Sequence, residues 1–506
     1  MAVDAAPPEQ VRLGEPSGRW VLVAAVLGSG LAGIDATVVN VALPALGRDL
    51  HAGFAGLQWT INSYALTLAA LILLGGSLGD RFGRRRVFLV GVVWFALASA
   101  LCALSPTIQV LIAARALQGV GGALLTPGSL AMISASFVDG DRAKAIGAWS
   151  GFGGMASAVG PFLGGYLVAG PGWRWIFLIN LPLAAVVVLV SRRHVPETRD
   201  PLADPHVDLL GAALGAIGLG GLTYALIGAG SGMSAGVVGA AVVGLLGMAG
   251  FVRTERRSPH PMVPSHIFTN RQFTAANVVT LLVYSALGGV FFLLVVDLQV
   301  VGGFSPLLAG TAMLPVTGIL LVLSARAGAL AARIGPRLPM ALGPVVAACG
   351  ILLLLRIGPH ASYLTAVLPA VTVFGLGLSL IVAPLTATVL AAAENRYAGV
   401  ASGINNSVAR AGGLLAVAVI PVVSGISGED YLHPSAFADG FRIAMAISAA
   451  LLVIGGIVAA VTIRNPPRAR LTTTSDRHHY CAIDGPPIHD STTQPPAAGM
   501  SEPRNR

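Results

Sequence analysis

The sequence contains uncharged, mostly apolar runs that are too long for the interior of a soluble protein. The longest covers residues 209–252, which are 44 positions without one acidic or basic side chain. A single helix needs only about 20 apolar residues to cross the hydrocarbon core of a bilayer. Charged residues make up 10% of the whole chain, against about 25% in ordinary soluble domains. Because so few charges cannot cover a water-exposed surface, the chain must lie mostly in lipid, and soluble and disordered classes are excluded.

Fourteen segments of suitable length and composition follow one another along the chain. The run 209–252 is too long for one span, and the Gly/Ser cluster at 227–236 is a turn signal that divides it into helices 7 and 8. The fold class predicted is an all-α polytopic membrane protein with 14 transmembrane helices. The remaining spans are predicted at 20–46, 52–79, 145–173, 175–191, 272–296, 306–330, 338–355, 362–389, 399–426 and 443–463. The apolar runs 87–114 and 116–138 hold helices 3 and 4, which are separated at Ser105-Pro106, so that Arg115 falls inside helix 4.

The distribution of basic residues supports this number of spans. An even number places both termini on one side, and 25 of the 31 basic residues then fall in segments on that side. Four fall on the opposite side, and two, Arg115 and Arg410, lie inside helices. By the positive-inside rule the termini are cytoplasmic. The net charge of +9 therefore reflects membrane topology, and no nucleic-acid partner is expected.

A ten-residue pattern occurs twice at an offset of 252 residues. GSLGDRFGRR at 76–85 and GALAARIGPR at 328–337 share five of ten positions, and each follows the second helix of a six-helix set. The chain then divides as 6+2+6, a build shared by many secondary transporters, whose substrate site lies at the midplane between the halves. We predict a cytoplasmic N-terminal segment at 1–19, six-helix bundles at 20–193 and 272–463, a two-helix insertion at 194–271 with flanking cytoplasmic loops, and a disordered cytoplasmic tail at 464–506.

Five segments together resemble one family of transporters. The segment 76–85 resembles the G-x-L-x-D-R-x-G-R-R signature of the major facilitator superfamily. Segments IDATVVNVALP (34–44), RALQGVGG (115–122), GPFLGG (160–165) and WRWIFLINLP (173–182) resemble motifs of its fourteen-spanner drug:proton antiporter branch, the QacA/EmrB-like multidrug exporters. The chain departs from the pattern at Ala156, where the helix-5 motif usually opens with Gly, and at Ala332, which replaces the acid of the first loop motif.

This resemblance implies a function as well as a fold. It implies proton-coupled efflux of drug-like or antibiotic amphiphiles across the bacterial inner membrane by alternating access, in a monomer that is not an enzyme. The proton gradient would supply the energy, since the chain lacks a phosphate-binding loop of the G-x-x-x-x-G-K-[ST] type. We expect no metal and no other cofactor. The alternatives are an exporter of a lipid or cell-envelope precursor, a proton-coupled nutrient importer, and a non-transporting scaffold or sensor.

Three charges lie deep inside predicted spans, where insertion of a charge costs about 2.5–3.5 kcal/mol. Asp35 in helix 1 is placed where a carboxyl can load and release protons, because burial disfavours its anion. Arg115 in helix 4 is predicted to assist this proton coupling. The alternative for both is a permanent structural pair. Asp297, near the outer end of helix 9, is interpreted as a surface or gate residue.

The remaining candidate residues fall into three groups. The resemblance implies a cytoplasmic gate in the first loop motif, in which Asp80 contacts the start of helix 13; the alternative for its arginines is ordinary positive-inside anchoring. The small residues of helix 5 suit close packing and a kink, which we expect to limit proton leak. The gate residues are Gly76, Asp80, Arg81, Gly83, Arg84 and Arg85, the antiporter-motif residues are Gly160, Pro161, Gly164 and Gly165, and the predicted cavity residues are Tyr64, Gln118, Asn405, Asn406 and Arg410.

Overall fold

The computed structural model describes residues 11–200, 208–258, 261, 263–359, 361–393 and 398–465. The segment 1–10 and the predicted tail from residue 466 onward lie outside the described residues. The described chain forms fourteen long helices: α1 Pro16–Asp49, α2 Phe54–Phe82, α3 Arg84–Ala103, α4 Ile108–Ser136, α5 Asp139–Ala169, α6 Trp175–His194, α7 Leu209–Ala229, α8 Ala235–Arg257, α9 Arg271–Val300, α10 Pro306–Ile334, α11 Arg337–Arg356, α12 Tyr363–Ala391, α13 Ala398–Val423 and α14 Pro434–Thr462.

Thirteen of the described helices are long and apolar enough to cross a membrane. The fourteenth predicted span corresponds to α5, which has 31 residues and is therefore about 46 Å long at 1.5 Å per residue. Breaks interrupt α6 at Ile179 and α10 between Thr311 and Leu314. The number and order of helices predicted from the uncharged runs are in line with this structure.

The ends of the helices differ from the predicted ends where polar residues continue a helix. Helix 14 was predicted to begin at residue 443, but α14 begins nine residues earlier with Pro434, a residue whose fixed φ suits the first helical turn. Similarly, α9 continues to Val300 and not only to residue 296. As a result Arg442 and Asp297, which were assigned to loops or helix ends, lie within helices.

The packing of the helices follows the 6+2+6 order. Within the first bundle α1 packs on α5 and α6, while α4 packs on α2 and α3. Within the second bundle α9 packs on α13 and α14, while α12 packs on α10 and α11. The pair α7–α8 packs together, and α7 also contacts α2 and α13. Contacts between the two bundles are made by α5 with α10, α2 with α13, and α1 with α9.

The repeated loop motif has the same local structure in both bundles. Gly83 ends α2 with φ +110°, and Gly335 ends α10 with φ +92°, a backbone conformation that favours glycine. In each bundle, a side chain from beyond the bundle's last helix caps the helix that follows the loop motif. This capping residue lies three positions after the end of that last helix. Glu197 accepts hydrogen bonds from the backbone N–H groups of Arg85 and Arg86, and Asn465 accepts one from the N–H of Arg337.

Two faces of the protein are named for the loops that they carry. The arginine-rich side holds the α2–α3 loop, and the arginine-poor side holds the α1–α2 loop. Since successive helices run in opposite directions, α1 and α13 run toward the arginine-poor side, as does α9, while α2 and α12 run away from it.

Candidate functional site: a buried ion pair beside an inter-bundle cavity

A buried ion pair lies at the centre of the first bundle. Arg115 of α4 donates through Nη1 to Oδ2 of Asp35 of α1, over 2.5 Å. The side chain of Asp35 has no exposed surface and that of Arg115 is 1% exposed. Two opposite charges withdrawn from solvent in this way are held together strongly, and removing either one leaves the other uncompensated.

Amide side chains complete the surroundings of the Asp35 carboxylate. Gln118 Nε2 donates to Asp35 Oδ1 over 2.9 Å, and Asn180 Nδ2 donates to the same oxygen over 3.2 Å. Both amides also donate to Ser99 Oγ, over 3.0 and 2.9 Å. The carboxylate therefore receives hydrogen bonds from α4 and α6 in addition to its contact with Arg115.

The guanidinium group of Arg115 is held on its other sides as well. Its Nε donates to the backbone carbonyl of Thr60 in α2 over 3.1 Å. Its Cζ lies 4.3 Å from the centroid of the Tyr64 ring and 5.9 Å from that of Phe177, distances at which a cation is attracted to an aromatic face. One ion pair thus connects α1, α2, α4 and α6, so that a change in the charge of Asp35 affects four helices at once.

A cavity of about 430 Å³ lies between the two bundles and is separate from the ion pair. Its wall is formed mainly by α2, α9, α12 and α13. Toward the arginine-rich side it is lined by residues such as Thr386, Leu390 and Ser402. Three residues predicted to line a cavity are placed in its wall, namely Asn405, Asn406 and Arg410.

The cavity wall carries polar groups that have no partner of their own. Buried Nε of Arg410, Oδ1 of Asn40 and both polar atoms of the Asn62 amide make no hydrogen bond to the described residues. Asn405, in contrast, donates to Asn277 Oδ1 and to Thr280 Oγ1, over 3.2 and 2.7 Å. Among the described lining residues one carries a charge, Arg410, and none is acidic. The cavity therefore presents a positive charge and free amides to whatever enters it.

Contacts between the bundles close the cavity on the arginine-poor side. The backbone N–H of Phe54 donates to Gly428 O over 2.7 Å, and Gln58 Nε2 donates to Val417 O over 2.7 Å. The Phe54 ring contacts the Phe292 ring with centroids 5.5 Å apart. Further bonds that cross the same seal are Tyr431 Oη to Ala52 O and Gln299 Nε2 to Val41 O.

The gate loop is held by its own bundle in this structure. Arg84 donates to Asp80 Oδ1 from Nε and Nη2, each over 2.8 Å, and Asp200 N–H donates to Asp80 O. The expected contact between Asp80 and the start of helix 13 is not tested, because the side chains of residues 394–399 lie outside the described part. The gate role of Gly76, Arg81, Gly83 and Arg85 stays a prediction.

The small residues of α5 allow two other helices to approach it closely. A methyl group at Gly160 would meet Thr37 Oγ1 and the carbonyl oxygen of Ile34, and one at Gly164 would meet Val38. On the neighbouring face, Gly165 lies against the backbone of Pro306 and Leu307 at the start of α10. Pro161 is inside α5, and its carbonyl lies where a methyl group on Gly310 would be. The motif thus packs α1 on one side and α10 of the other bundle on the other.

Two predicted cavity residues occupy another position. Gln118 and Tyr64 belong to the surroundings of the ion pair and are not part of the described cavity wall, because α4 and this face of α2 turn toward α1. Sequence reasoning gave no role to Asn180 or Ser99, although both contact the Asp35 network. The sequence signal for Asn180 is its position as a lone amide in the apolar run 175–191. Asp297 is also not a surface residue, since it is 1% exposed.

Residues 25–417 match the Major Facilitator Superfamily. The chain belongs to this superfamily. Among its relatives are Puromycin resistance protein pur8 of Streptomyces alboniger, 36% identical over 94% of this chain and 97% of that protein, and Tetracenomycin C resistance and export protein of Streptomyces glaucescens, 34% identical over 92% and 87%. Multidrug resistance protein Stp of Mycobacterium tuberculosis is 36% identical over 79% and 74%.

Solved transporter structures share the fold at low sequence identity. The POT family transporter PepTSo superposes with a TM-score of 0.65 at 18% identity and covers 87% of this chain and 97% of its own. A bacterial homologue of the human lysosomal transporter Spinster, in an inward-facing and unoccupied conformation, gives a TM-score of 0.63 at 18% identity, over 89% and 97%. These likenesses show the major facilitator fold that the motifs predicted. The superfamily match and the thirteen candidate spans of the described chain together show an integral membrane transporter.

Proposed function

We propose that this protein exports drug-like or antibiotic amphiphiles from the bacterial cytoplasm and exchanges them for protons by alternating access. The observation that carries the proposal is a substrate-sized cavity, closed on the arginine-poor side, next to a buried acid–base pair that the substrate does not need to touch. The resistance and export proteins among the relatives support the substrate class and the direction.

The arginine-rich side is the cytoplasmic one in this proposal. That orientation is supported by the positive-inside rule, and in it both termini are cytoplasmic. The proposed membrane is the bacterial inner membrane. The cavity is then closed toward the outside and lined toward the cytoplasm by Thr386, Leu390 and Ser402. Substrate enters the cavity from the cytoplasm or the inner leaflet. The protein acts as a monomer, uses the proton gradient as its energy source, and needs no cofactor and no nucleic-acid partner.

In this proposal, protonation of Asp35 couples the inward movement of protons to the outward movement of substrate. As an anion Asp35 holds Arg115, and through it the four helices α1, α2, α4 and α6. A proton that arrives from outside neutralises the carboxylate and removes its charge attraction for Arg115. Arg115 then gives up part of its contacts with Gln118, Thr60 and Tyr64. A membrane potential of 100 mV contributes about 2.3 kcal/mol for each charge moved, which is enough to sustain a substantial substrate gradient.

The cavity favours neutral and anionic amphiphiles over dications. Arg410 brings a positive charge into the wall, and Asp35 is not one of the lining residues. A dication would meet no compensating carboxylate among the described lining residues, and desolvating it would be unfavourable. An anionic group or a carbonyl-rich ring system, in contrast, finds Arg410, Asn40 and Asn62 as partners.

A susceptibility panel tests the direction of transport and the substrate class together. A host that overproduces the protein should tolerate higher concentrations of neutral and anionic amphiphilic antibiotics, and a strain without the gene should tolerate less. Inactive Asp35→Asn, produced at the same level, is the matched control. Unchanged tolerance across the panel, combined with growth failure of the deletion strain on one nutrient, would instead establish import.

A further inference from the structure

A groove of about 530 Å³ lies on the outer surface of the first bundle, between α3 and α6. Both helices make their main contacts with other helices of the first bundle, so the groove is separate from the cavity between the bundles. Its wall has a basic end and an apolar part. The basic end lies on the arginine-rich side, where α3 begins and α6 ends. It is formed by Arg85, Arg86, Arg192, Arg199 and, among the described residues, one acid, Glu197.

The basic end carries more positive charge than its own acid balances. The Glu197 carboxylate accepts hydrogen bonds from the backbone N–H groups of Arg85 and Arg86, and its Oε2 lies 3.8 Å from Nε of Arg85. The exposed side chains of Arg86, Arg192 and Arg199 form no hydrogen bond or ion pair with the part of the chain that the structure describes. These three guanidinium groups can bind an anion, and the planar arrangement of their N–H donors suits the oxygen atoms of a phosphate.

The apolar part of the wall continues from the arginines along α3 toward the middle of the span. Its residues on α3 are Leu89, Val90, Val93, Trp94 and Leu97, and their spacings of three and four positions place them along one side of the helix. Leu97 lies about 17 Å along the helix axis from the first arginines of α3, which is about half the thickness of a hydrocarbon core. Val90 and Leu97 are 53% and 63% exposed, so the described chain leaves this wall uncovered.

The groove thus joins a cluster of uncompensated arginines to an apolar wall as long as an acyl chain. Positive-inside anchoring accounts for arginines on this side of the membrane, but not for their place at the end of such a groove. We propose that the groove binds an anionic phospholipid, whose phosphate contacts Arg86, Arg192 and Arg199 while one acyl chain lies along α3 past Trp94. A zwitterionic lipid is disfavoured, because its headgroup amine would add a positive charge beside three arginines.

The test uses the fluorescence of Trp94, which is 43% exposed and lies about 12 Å along the helix axis from Arg86. Bromine atoms in the middle of an acyl chain quench a tryptophan that they contact. The full chain is reconstituted in phosphatidylcholine vesicles that contain a small fraction of brominated phosphatidylglycerol, or the same fraction of brominated phosphatidylcholine. The fluorescence that is lost in Trp94→Phe separates the signal of Trp94 from that of the other tryptophans.

In the wild-type protein, the quenching of Trp94 should show that phosphatidylglycerol is enriched in the groove at least about fivefold over phosphatidylcholine, which is the effect of one basic residue near an anionic headgroup. Arg86→Gln/Arg192→Gln/Arg199→Gln should lower this enrichment to the composition of the surrounding bilayer. A matched control loses the same charge at exposed positions near the end of α8, on the same side of the protein, and should keep the enrichment. This control is Arg253→Gln/Arg256→Gln/Arg257→Gln.

Equal quenching of wild-type Trp94 by the two brominated lipids, or full enrichment in the variant without the three groove arginines, would overturn the proposal. Replacing chloride by inorganic phosphate at the same ionic strength should leave the enrichment unchanged. Its loss would show that the arginines bind free phosphate and not a lipid, and would also refute the site. Because the assay contains no substrate and no proton gradient, its failure is distinguishable from failure of export or of coupling through Asp35.

Discussion

Replacing Arg115 by methionine should destabilise the protein strongly, although methionine fills the space of the arginine stem and adds no volume. The Asp35 carboxylate would keep its bonds from Gln118 and Asn180 on Oδ1. Oδ2 would lose the donor it has in Arg115, and a buried negative charge would be left uncompensated. Breaking a buried pair on one side costs about 3–5 kcal/mol, and we expect a value in this range for Arg115→Met.

The double variant Asp35→Asn/Arg115→Met should recover most of that loss. Its amide oxygen still accepts from Gln118 and Asn180, and no buried charge remains in the network. Only neutral hydrogen bonds are altered, at about 1 kcal/mol each. The double variant should therefore lie within about 1–2 kcal/mol of wild type, which makes it about 2–3 kcal/mol more stable than the single variant Arg115→Met.

Arg410 provides a matched control for this experiment. Like Arg115 it lies inside a span, but it has no acidic partner within the described chain, and its buried Nε is without a hydrogen bond. Arg410→Met should therefore be neutral or stabilising. The free energy of unfolding can be measured in mixed micelles as the fraction of denaturing detergent is raised. If Arg115→Met is as stable as wild type, or if the double variant is no more stable than Arg115→Met, the buried pair does not hold the bundle together.

Two further predictions concern packing and capping. Gly160→Ala should push α1 away from α5, because its new methyl group meets Thr37 Oγ1 and a backbone carbonyl. Export measured in vesicles should therefore fall. The control Gly147→Ala lies on the same helix with open space around it and should keep wild-type transport. Glu197→Ala should destabilise the start of α3 by about 1–2 kcal/mol, since two backbone N–H groups lose their acceptor. We expect faster hydrogen exchange of the backbone amides, confined to that turn. Unchanged exchange would contradict the capping role.

The fold could be predicted because lipid makes strong demands on sequence. Uncharged runs of sufficient length and the one-sided distribution of arginine are required for insertion, and they leave few other topologies open. The ends of helices are less constrained, since a helix can continue into the interface with polar side chains. For this reason α14 begins at Pro434 and not at residue 443, and α9 includes Asp297.

The candidate site could be predicted only in part. Asp35 and Arg115 stood out as charges in apolar runs, and a permanent pair between them was already one alternative. Their amide partners could not be found in this way, because Asn180 reaches Asp35 across 145 positions of the chain and an isolated asparagine has many possible roles. Gln118 and Tyr64 were assigned to the cavity because polarity alone does not show which face of a helix meets the other bundle.

Substrate-dependent proton release tests the central claim most directly. Purified protein in weakly buffered vesicles is given an exported amphiphile, and the protons released per substrate bound are counted for wild type and for Asp35→Asn. Coupling through Asp35 predicts that the wild-type protein releases protons when substrate binds. At the same substrate occupancy, the variant should release fewer protons, because the proton carried by Asp35 is missing. Equal release from both proteins would contradict the assignment of Asp35 as the coupling acid.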